Sequence, residues 1–432
     1  MDPENPNWFL ATTLKERVAL LRENLHDCGT LDATVAERKL KQWRTSALLN
    51  AEAVFAERLA ADEISDTEFR QVLGTSADSI LNRFPNPPRW FADFIAAFSA
   101  PTLQQLPPLP ESLRDCQLTS LLCVVRPIIA QVLAHLHAEI EVLNRTKSDL
   151  PFDPRTIDNI LYESLPLGLI TILSRTAALE LNVARLEGQL KGSTPEQRYQ
   201  SFLERMSSRS EAFRMLGEYP VLTRLLIEEA NRWLDRSLEF LRRLCEDWST
   251  IKSSIAAAGN PGVLVKVDAG AGDHHNNGRS VLIANFDSGF RAVYKPRSLA
   301  VDVHFQDLLL WLNQRGVQPE FRTMKVLKHG SYAWTEFISA KSCESHEEVW
   351  RFYQRLGGYL AILYVLGATD FHYENLIAAG EHPVLIDLEA LFHPPLESVQ
   401  SGHADELAWN AVYHSVLGIG LLPQRIRSKD GS

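Results

Sequence analysis

The segment Asp370 to Glu389 reads DFHYENLIAAGEHPVLIDLE. It carries a carboxylate, an imidazole and an amide at fixed offsets: Asp370, His372 and Asn375. Twelve residues beyond Asn375 a second acid, Asp387, closes the apolar run Pro383-Val384-Leu385-Ile386, and Glu389 follows it. That run is short and partly β-branched, which predicts a strand. A carboxylate that takes a hydroxyl proton, followed by oxygen ligands for Mg²⁺, is the set that phosphoryl transfer to an alcohol requires. In that chemistry Asp370 accepts the proton, and Asn375 and Asp387 supply metal oxygens. His372 orients Asp370 or neutralises charge on the moving phosphoryl group. A polar loop with a strand-end acid fits the same residues, so the elements around them decide.

Such a site needs cations and a backbone cradle, and the preceding stretch offers both. Residues 270–279, GAGDHHNNGR, form a glycine-rich polar turn. Gly272 and Gly278 carry no Cβ, so backbone N–H groups there can approach a phosphate, with Arg279 beside them. An ordinary hairpin turn has the same composition. Val263–Val267 reads as a strand before it. Ser280–Phe286 and Phe290–Tyr294 read as strands after it, joined by the turn Asp287-Ser288-Gly289. Lys295 ends the last of these, where kinase folds place a phosphate-contacting lysine. A helix over Val301–Asn313 turns Phe305, Leu308, Leu309 and Leu312 inward. Asp302 or Asp307 on it pairs with Lys295; spacing does not choose between them. Tyr332–Ile338 predicts a strand leading to a hinge, with Glu336 or its backbone near an adenine ring, or else a plain core strand. A helix over Val349–Leu366 then packs beneath the Asp370 loop.

Glycine turn, lysine, helix, hinge, helix, Asp-x-His-x-x-Asn and Asp is the order of kinase folds. Protein kinases also space their loop Asp and Asn five residues apart. The local Asp-x-His-x-x-Asn form is closer to lipid-kinase loops than to the His-Arg-Asp form.

Residues 1–255 read differently, as mostly helix without a catalytic constellation. Leu14, Val18, Leu21 and Leu25 make a helical stripe. Asp32 caps a second helix, and Ser65-Asp66-Thr67-Glu68 and Thr194-Pro195-Glu196-Gln197 have capping-box form. Trp90, Phe91, Phe94 and Phe98 form an aromatic face suited to core packing. Leu118–Leu136 contains Arg126, Pro127 and Gln131 and reads as a buried helix pair rather than a membrane span. A long amphipathic run covers Tyr219–Ile255. The expectation is an α+β chain: a helical region at 1–255, a small β-rich lobe at 256–340 and a second lobe at 341–432.

The 432 residues are 45% hydrophobic and 23% charged, as in ordinary globular proteins. A net charge of −10 argues against nucleic acid as a partner. Five scattered cysteines, Cys28, Cys116, Cys123, Cys245 and Cys343, form no Cys-x-x-Cys pair or zinc spacing. Reduced thiols in a cytoplasmic protein are the expectation. The opening MDPENPNWF is not a signal peptide.

Four stretches resemble the N-terminal dehydratase half of class II (LanM-type) lanthipeptide synthetases. They are GDHHNNGRSVLIANFDSGFRAVYKPRS (272–298), YAWTEFI (332–338), GATDFHYENLIAAGEHPVLIDLEALFHP (367–394) and ELNVARLEGQLKGSTPEQRYQSF (180–202). The resemblance implies a lipid-kinase-type lobe pair with added helical domains. It implies ATP- and Mg²⁺-dependent phosphorylation of Ser and Thr in a ribosomal precursor peptide. Elimination to dehydroalanine and dehydrobutyrine follows, and a C-terminal zinc cyclase then closes thioether rings. Carried residue by residue, the resemblance implies that Lys295 contacts phosphate, Asp370 is the catalytic Asp with His372 and Asn375 as loop partners, and Asp387 binds metal with Glu389 beside it. Arg279 and Arg297 lie in the matching stretches without an assigned role. Gly418 and Ile419 stand where the family often has Arg-Thr. The family's elimination residues and zinc cyclase would lie beyond Ser432, so no zinc site is expected here. On this reading the chain is a fragment, with the cyclase portion supplied from outside it. Two other expectations remain open: a leader-peptide-binding fragment without catalysis, and a lipid or small-molecule kinase.

Overall fold

The computed structural model describes residues 7–23, 32–45, 52–76, 87–100, 106–256, 259–269, 279–392 and 410–423. The fold is α+β and mostly helical, with a small antiparallel sheet. Two compact units are present. One comprises residues 1–146 and 161–239; the other comprises 147–160 and 240–432.

The first unit is all helix among its described residues. Its capping signals are realised. Ser65 Oγ accepts from the Glu68 N–H while Glu68 returns a bond to the Ser65 N–H, and Thr194 and Gln197 do the same. Asp32 Oδ1 accepts from Val35 N–H at 3.0 Å, which starts the helix Ala33–Thr45. Each such cap satisfies backbone donors that a helix start leaves unpaired. The aromatic face of the helix Arg89–Ser99 is core: Phe94 is fully buried and stacks on Phe213 at 5.0 Å.

The expected helix pair at Leu118–Leu136 is instead one helix, Leu122–Thr146, entered through a short tight turn at Gln117–Leu121. Pro127 lies within it and removes one helical hydrogen bond. Val124, Val125, Ile128, Ile129 and Leu133 around it are buried, and that burial outweighs the lost bond. By length and composition the stretches Gln117–Thr146 and Ile157–Leu186 are apolar enough to cross a membrane; 61% of the first one's most apolar window is buried.

The helix Pro220–Thr250 crosses the division between the units. The change of texture expected near 255 therefore lies inside the second unit. The reason is packing: from Phe240 onward this helix belongs to the sheet. Phe240 meets Tyr294 and Trp334 edge-on or tilted, and Trp248 stacks on Phe286 at 5.1 Å.

That sheet has five strands: β1 (Leu264–Ala269), β2 (Leu282–Phe286), β3 (Arg291–Lys295), β4 (Val326–Lys328) and β5 (Ala333–Glu336). Their order is β1-β2-β3-β5-β4, all antiparallel. A bulge at Val265 bends β1, where Leu264 faces Phe286 but Lys266 faces Asn285. The Asp287-Ser288-Gly289 turn closes the β2–β3 hairpin as expected. Asp287 also accepts from Val263 N–H, and a Cβ on Gly262 would overlap the Asp287 carboxylate. With its φ of +78°, that position favours glycine.

Behind β3 and β5 lies a buried polar knot. Trp334 Nε1–H donates to Asp247 Oδ2 at 2.9 Å. His329 Nε2 lies 3.1 Å from Asp247 Oδ1, close but without hydrogen-bond alignment. Arg243 donates to Tyr294 Oη and sits over the Tyr332 ring at 4.1 Å. A buried carboxylate costs free energy unless donors hold it.

The helices Ala300–Gln314 and His346–Val365 share a second core with a hairpin, β6 (Leu376–Ala379) and β7 (His382–Leu385). Phe305, Leu309, Tyr359, Leu363, Phe371, Leu385, Leu388 and Ile419 form that core. Trp334→Phe keeps most of the apolar bulk behind the sheet but removes a donor from Asp247. Urea denaturation should show a loss of about 1–3 kcal/mol. An unchanged midpoint would mean that Asp247 is satisfied by other groups.

Candidate active site

The site grows from the second core. Along the loop, Asp370 is exposed, Phe371 is 1% exposed and His372 is half-buried. Beyond β7, Asp387 and Glu389 flank Leu388, which is fully buried. In both segments a buried apolar side chain fixes the backbone, so that its polar neighbours turn outward.

The two segments are joined through the backbone. Ile386 N–H donates to Asn375 O at 3.0 Å, and Thr369 N–H donates to Ala390 O at 3.1 Å. With Leu376 paired to Leu385 in the β6–β7 hairpin, Asn375 stands opposite Ile386, next to Asp387. A third strut comes from further along the chain. Phe371 N–H donates to Ile419 O at 2.8 Å. Gly420, with φ +87°, backs directly onto the loop, and a Cβ there would stand 3.3 Å from Phe371 N.

Asp370 itself has φ +63°. Left-handed backbone is uncommon outside glycine and tolerable for Asp, whose short side chain bonds locally. Such conformations persist where the surroundings hold them, and they concentrate at functional sites.

The loop side chains interlock. His372 Nδ1 lies 3.2 Å from Asp370 O and 3.3 Å from Asp370 Oδ1, and its Nε2 lies 3.2 Å from Glu374 Oε2. With oxygen acceptors on both ring nitrogens, the doubly protonated imidazolium is favoured. The Asp370 carbonyl, then Glu374, hold the His372 pKa above its ordinary value. His372 and Tyr373 in turn hold the Glu374 carboxyl below its own. Asn375 donates its amide N–H to Asp370 O at 2.8 Å, so the amide oxygen, the atom a metal needs, is the opposite end of the group.

The cations come from β3 and the residues after it. Lys295 is 6% exposed and donates to Ile386 O. Burial pulls its pKa down, against the pull of Asp302 and Asp387. Asp302 is 2% exposed, and burial pushes its carboxyl up although Lys295 opposes this. Its Oδ1 makes no hydrogen bond. Asp302 is thus the acid that shares the lysine's pocket. Asp307 is exposed, 3.8 Å from His304. Arg297 spans both downstream acids: Nη2 to Asp387 Oδ1 at 2.6 Å and Nη1 to Glu389 Oε2 at 2.8 Å.

The structure therefore brings Lys295, Asp387 and Glu389 together, with the loop of Asp370, His372 and Asn375 alongside. Arg297 and Asp302 join them. Glu336, at the end of β5, is engaged elsewhere: its carboxylate accepts from Lys325 N–H at 2.8 Å and lies 3.3 Å from Arg322. Arg279 is described just ahead of β2; Gly272 and Gly278 lie outside the described residues. Sequence reading left Arg297 without a role and did not single out Glu374 or Gly420. Arg297 had one signal: it follows Lys295 by two, the period that keeps side chains on one face of an extended chain.

The residues fit Mg²⁺, which takes few protein ligands and prefers carboxylate and amide oxygens. Asp387 and Glu389 already present their oxygens to one cation, the Arg297 guanidinium. Among the described residues no group of three or more His, Cys, Asp or Glu side chains gathers into a metal site.

Residues 219–432 match the sequence model of a family described as a domain of unknown function (DUF4135). The chain is also similar to the Lacticin 481/lactococcin biosynthesis protein LcnDR2 of Lactococcus lactis subsp. lactis, at 28% identity over 266 residues. That similarity covers 59% of this chain and 28% of the relative, so the chain spans well under half of that protein's length.

Two outcomes follow from the loop geometry. Gly420→Ala forces a left-handed alanine against the Phe371 backbone and should cost about 1–2 kcal/mol of stability; a thermal melt matching the parent's would contradict the strut. His372 should titrate above an ordinary histidine in an NMR pH series, and Glu374→Gln should move its midpoint down. Because the folded pKa is raised, the stabilisation His372 adds is complete at low pH and lost as pH rises through that midpoint. A midpoint insensitive to Glu374→Gln would break the assignment.

Proposed function

We propose that this chain is the phosphorylating part of a lanthipeptide synthetase. It transfers the γ-phosphoryl group of ATP to Ser and Thr hydroxyls of a ribosomal precursor peptide, the step before elimination to dehydroamino acids. The single observation that carries this reading is the meeting of Lys295, Asp387 and Glu389 beside the Asp370–Asn375 loop. Similarity to a protein named for lacticin 481 and lactococcin biosynthesis favours a peptide acceptor over a lipid or small molecule.

On this reading the residues divide the work. Asp370 is exposed, with 73% of its side chain accessible, so an incoming hydroxyl can reach it. It takes the hydroxyl proton. The His372 imidazolium fixes Asp370 and adds positive charge beside the acceptor. Asp387, Glu389 and the Asn375 amide oxygen would hold Mg²⁺, which neutralises charge on the phosphates when bound. Lys295 holds a phosphate oxygen, and its burial strengthens that contact by excluding water. The protein contributes position and field rather than covalent chemistry.

The test is mass spectrometry of a Ser- and Thr-bearing precursor peptide incubated with the chain, ATP and Mg²⁺. Gain of phosphate, or loss of water through a phosphorylated intermediate, supports the reading. Asp370→Asn should lower the rate by about 10²–10⁴-fold. Full activity in that variant would remove Asp370 as the base. Peptide binding without any mass change would favour a leader-binding module instead.

A further inference from the structure

One four-residue segment binds both cations of the site. Lys295 Nζ donates to the carbonyl of Ile386, and Arg297 forks across Asp387 and Glu389. The groups meant to face phosphate are therefore turned onto the residues meant to face the metal. Planar guanidinium matches two oxygens at once, and here the two oxygens come from different side chains. A lysine, as a point charge, would not bridge them in the same way.

Charge counting gives this contact a consequence. Lys295 and Arg297 stand against Asp302, Asp387 and Glu389, a formal balance of one negative charge. Without Arg297 the balance is two, the complement of a divalent ion. The contact is also openable. Side-chain exposure is 21% for Arg297, 34% for Asp387 and 50% for Glu389, so water can replace either partner. Lys295, at 6%, and Asp302, at 2%, have no such freedom.

We infer that Arg297 is a latch on the metal site. Its guanidinium occupies the Asp387 and Glu389 oxygens, and divalent metal binds them by displacing it. The displaced Arg297 then becomes a ligand for a phosphate oxygen of the nucleotide. This inference rests on the phosphoryl-transfer reading of the site. It makes Arg297 a positioning residue with opposite effects on two ligands, competing with the metal and assisting the nucleotide.

Mn²⁺ alone, followed by the paramagnetic resonance signal of the free ion, reads the first effect on the full chain. Arg297→Gln should bind Mn²⁺ about three- to tenfold more tightly than the parent protein. Adding Asp387→Asn should cancel that gain. With Mg²⁺ present, the same Arg297→Gln protein should bind ATP several-fold more weakly. A merely structural bridge would not give changes of opposite sign. Equal or weaker Mn²⁺ binding by Arg297→Gln, with Asp387→Asn still lowering it, overturns the latch and leaves the phosphoryl-transfer reading standing. Mn²⁺ binding indifferent to Asp387→Asn overturns both. If Arg297→Gln does not fold, Arg297→Lys decides. It keeps the charge but loses the fork, so Mn²⁺ affinity above the parent's supports the latch and affinity at or below it overturns the latch.

Discussion

The site depends on the burial of four apolar side chains in one core: Phe371, Leu385, Leu388 and Ile419. None of them does chemistry. Phe371, Leu385 and Leu388 each sit within a residue or two of a group that can, Ile419 lends its carbonyl to the Phe371 N–H, and each removes the local backbone's freedom to move. Fully burying a large apolar side chain is worth about 1.5–3 kcal/mol. Because the anchors share a core with the helices Ala300–Gln314 and His346–Val365, the loop and the β7 segment are held against the same body. Two backbone hydrogen bonds, from Ile386 and Thr369, then set their separation, and a third, from Phe371, ties the loop to Ile419. Rigid packing is what lets an exposed acid such as Asp370 keep a left-handed backbone that an unsupported loop would relax.

Electrostatics adds the second constraint, and burial decides its sign. Lys295 and Asp302 are both nearly inaccessible, and for both the dominant effect is desolvation, which disfavours charge. Mutual attraction opposes it in both; Asp387 and Glu389 add to that for Lys295, whereas for Asp302 Arg297 helps and Asp387, a like charge, works the other way. Arg297, Asp387 and Glu389 sit nearer solvent, where charges cost less to keep and less to separate. The pocket thus grades from a fixed pair inside to an exchangeable trio outside. Such a gradient suits a ligand that enters with its own charge and must find partners not wholly committed to one another.

Much of this was legible in the sequence, for reasons that differ by residue. Strand β3 and its hairpin partner follow from β-branched and aromatic residues around Asp287-Ser288-Gly289. The loop set Asp370, His372 and Asn375 was legible because its members are close in sequence, and local spacing is all that a motif encodes. The choice between Asp302 and Asp307 was not legible. Both lie on one helix, and which side of it meets Lys295 is set by packing against the sheet. Glu336 looked available for a ligand, yet Arg322 and the Lys325 N–H engage it, partners that only the β4–β5 pairing brings near. The helix Leu122–Thr146 absorbed Pro127, since burial overrode a local breaker.

Gly420 shows why the remainder could not be read locally. It lies about fifty residues from the loop it supports, and a glycine in the run Gly418-Ile419-Gly420 carries no mark of that role. Its φ of +87° and its approach to Phe371 are consequences of the tertiary fold. Ile419 beside it contributes by burying its side chain and lending its carbonyl to the Phe371 N–H. The same division of labour holds at Phe371 and Leu388, where apolar side chains hold the backbone and the neighbouring polar ones stay free for a ligand. The stretch Ser415–Pro423 therefore supports the loop through Ile419 and Gly420. What the loop draws from Ile419 and Gly420 is a backbone carbonyl, an apolar anchor and the absence of a Cβ, not a polar side chain.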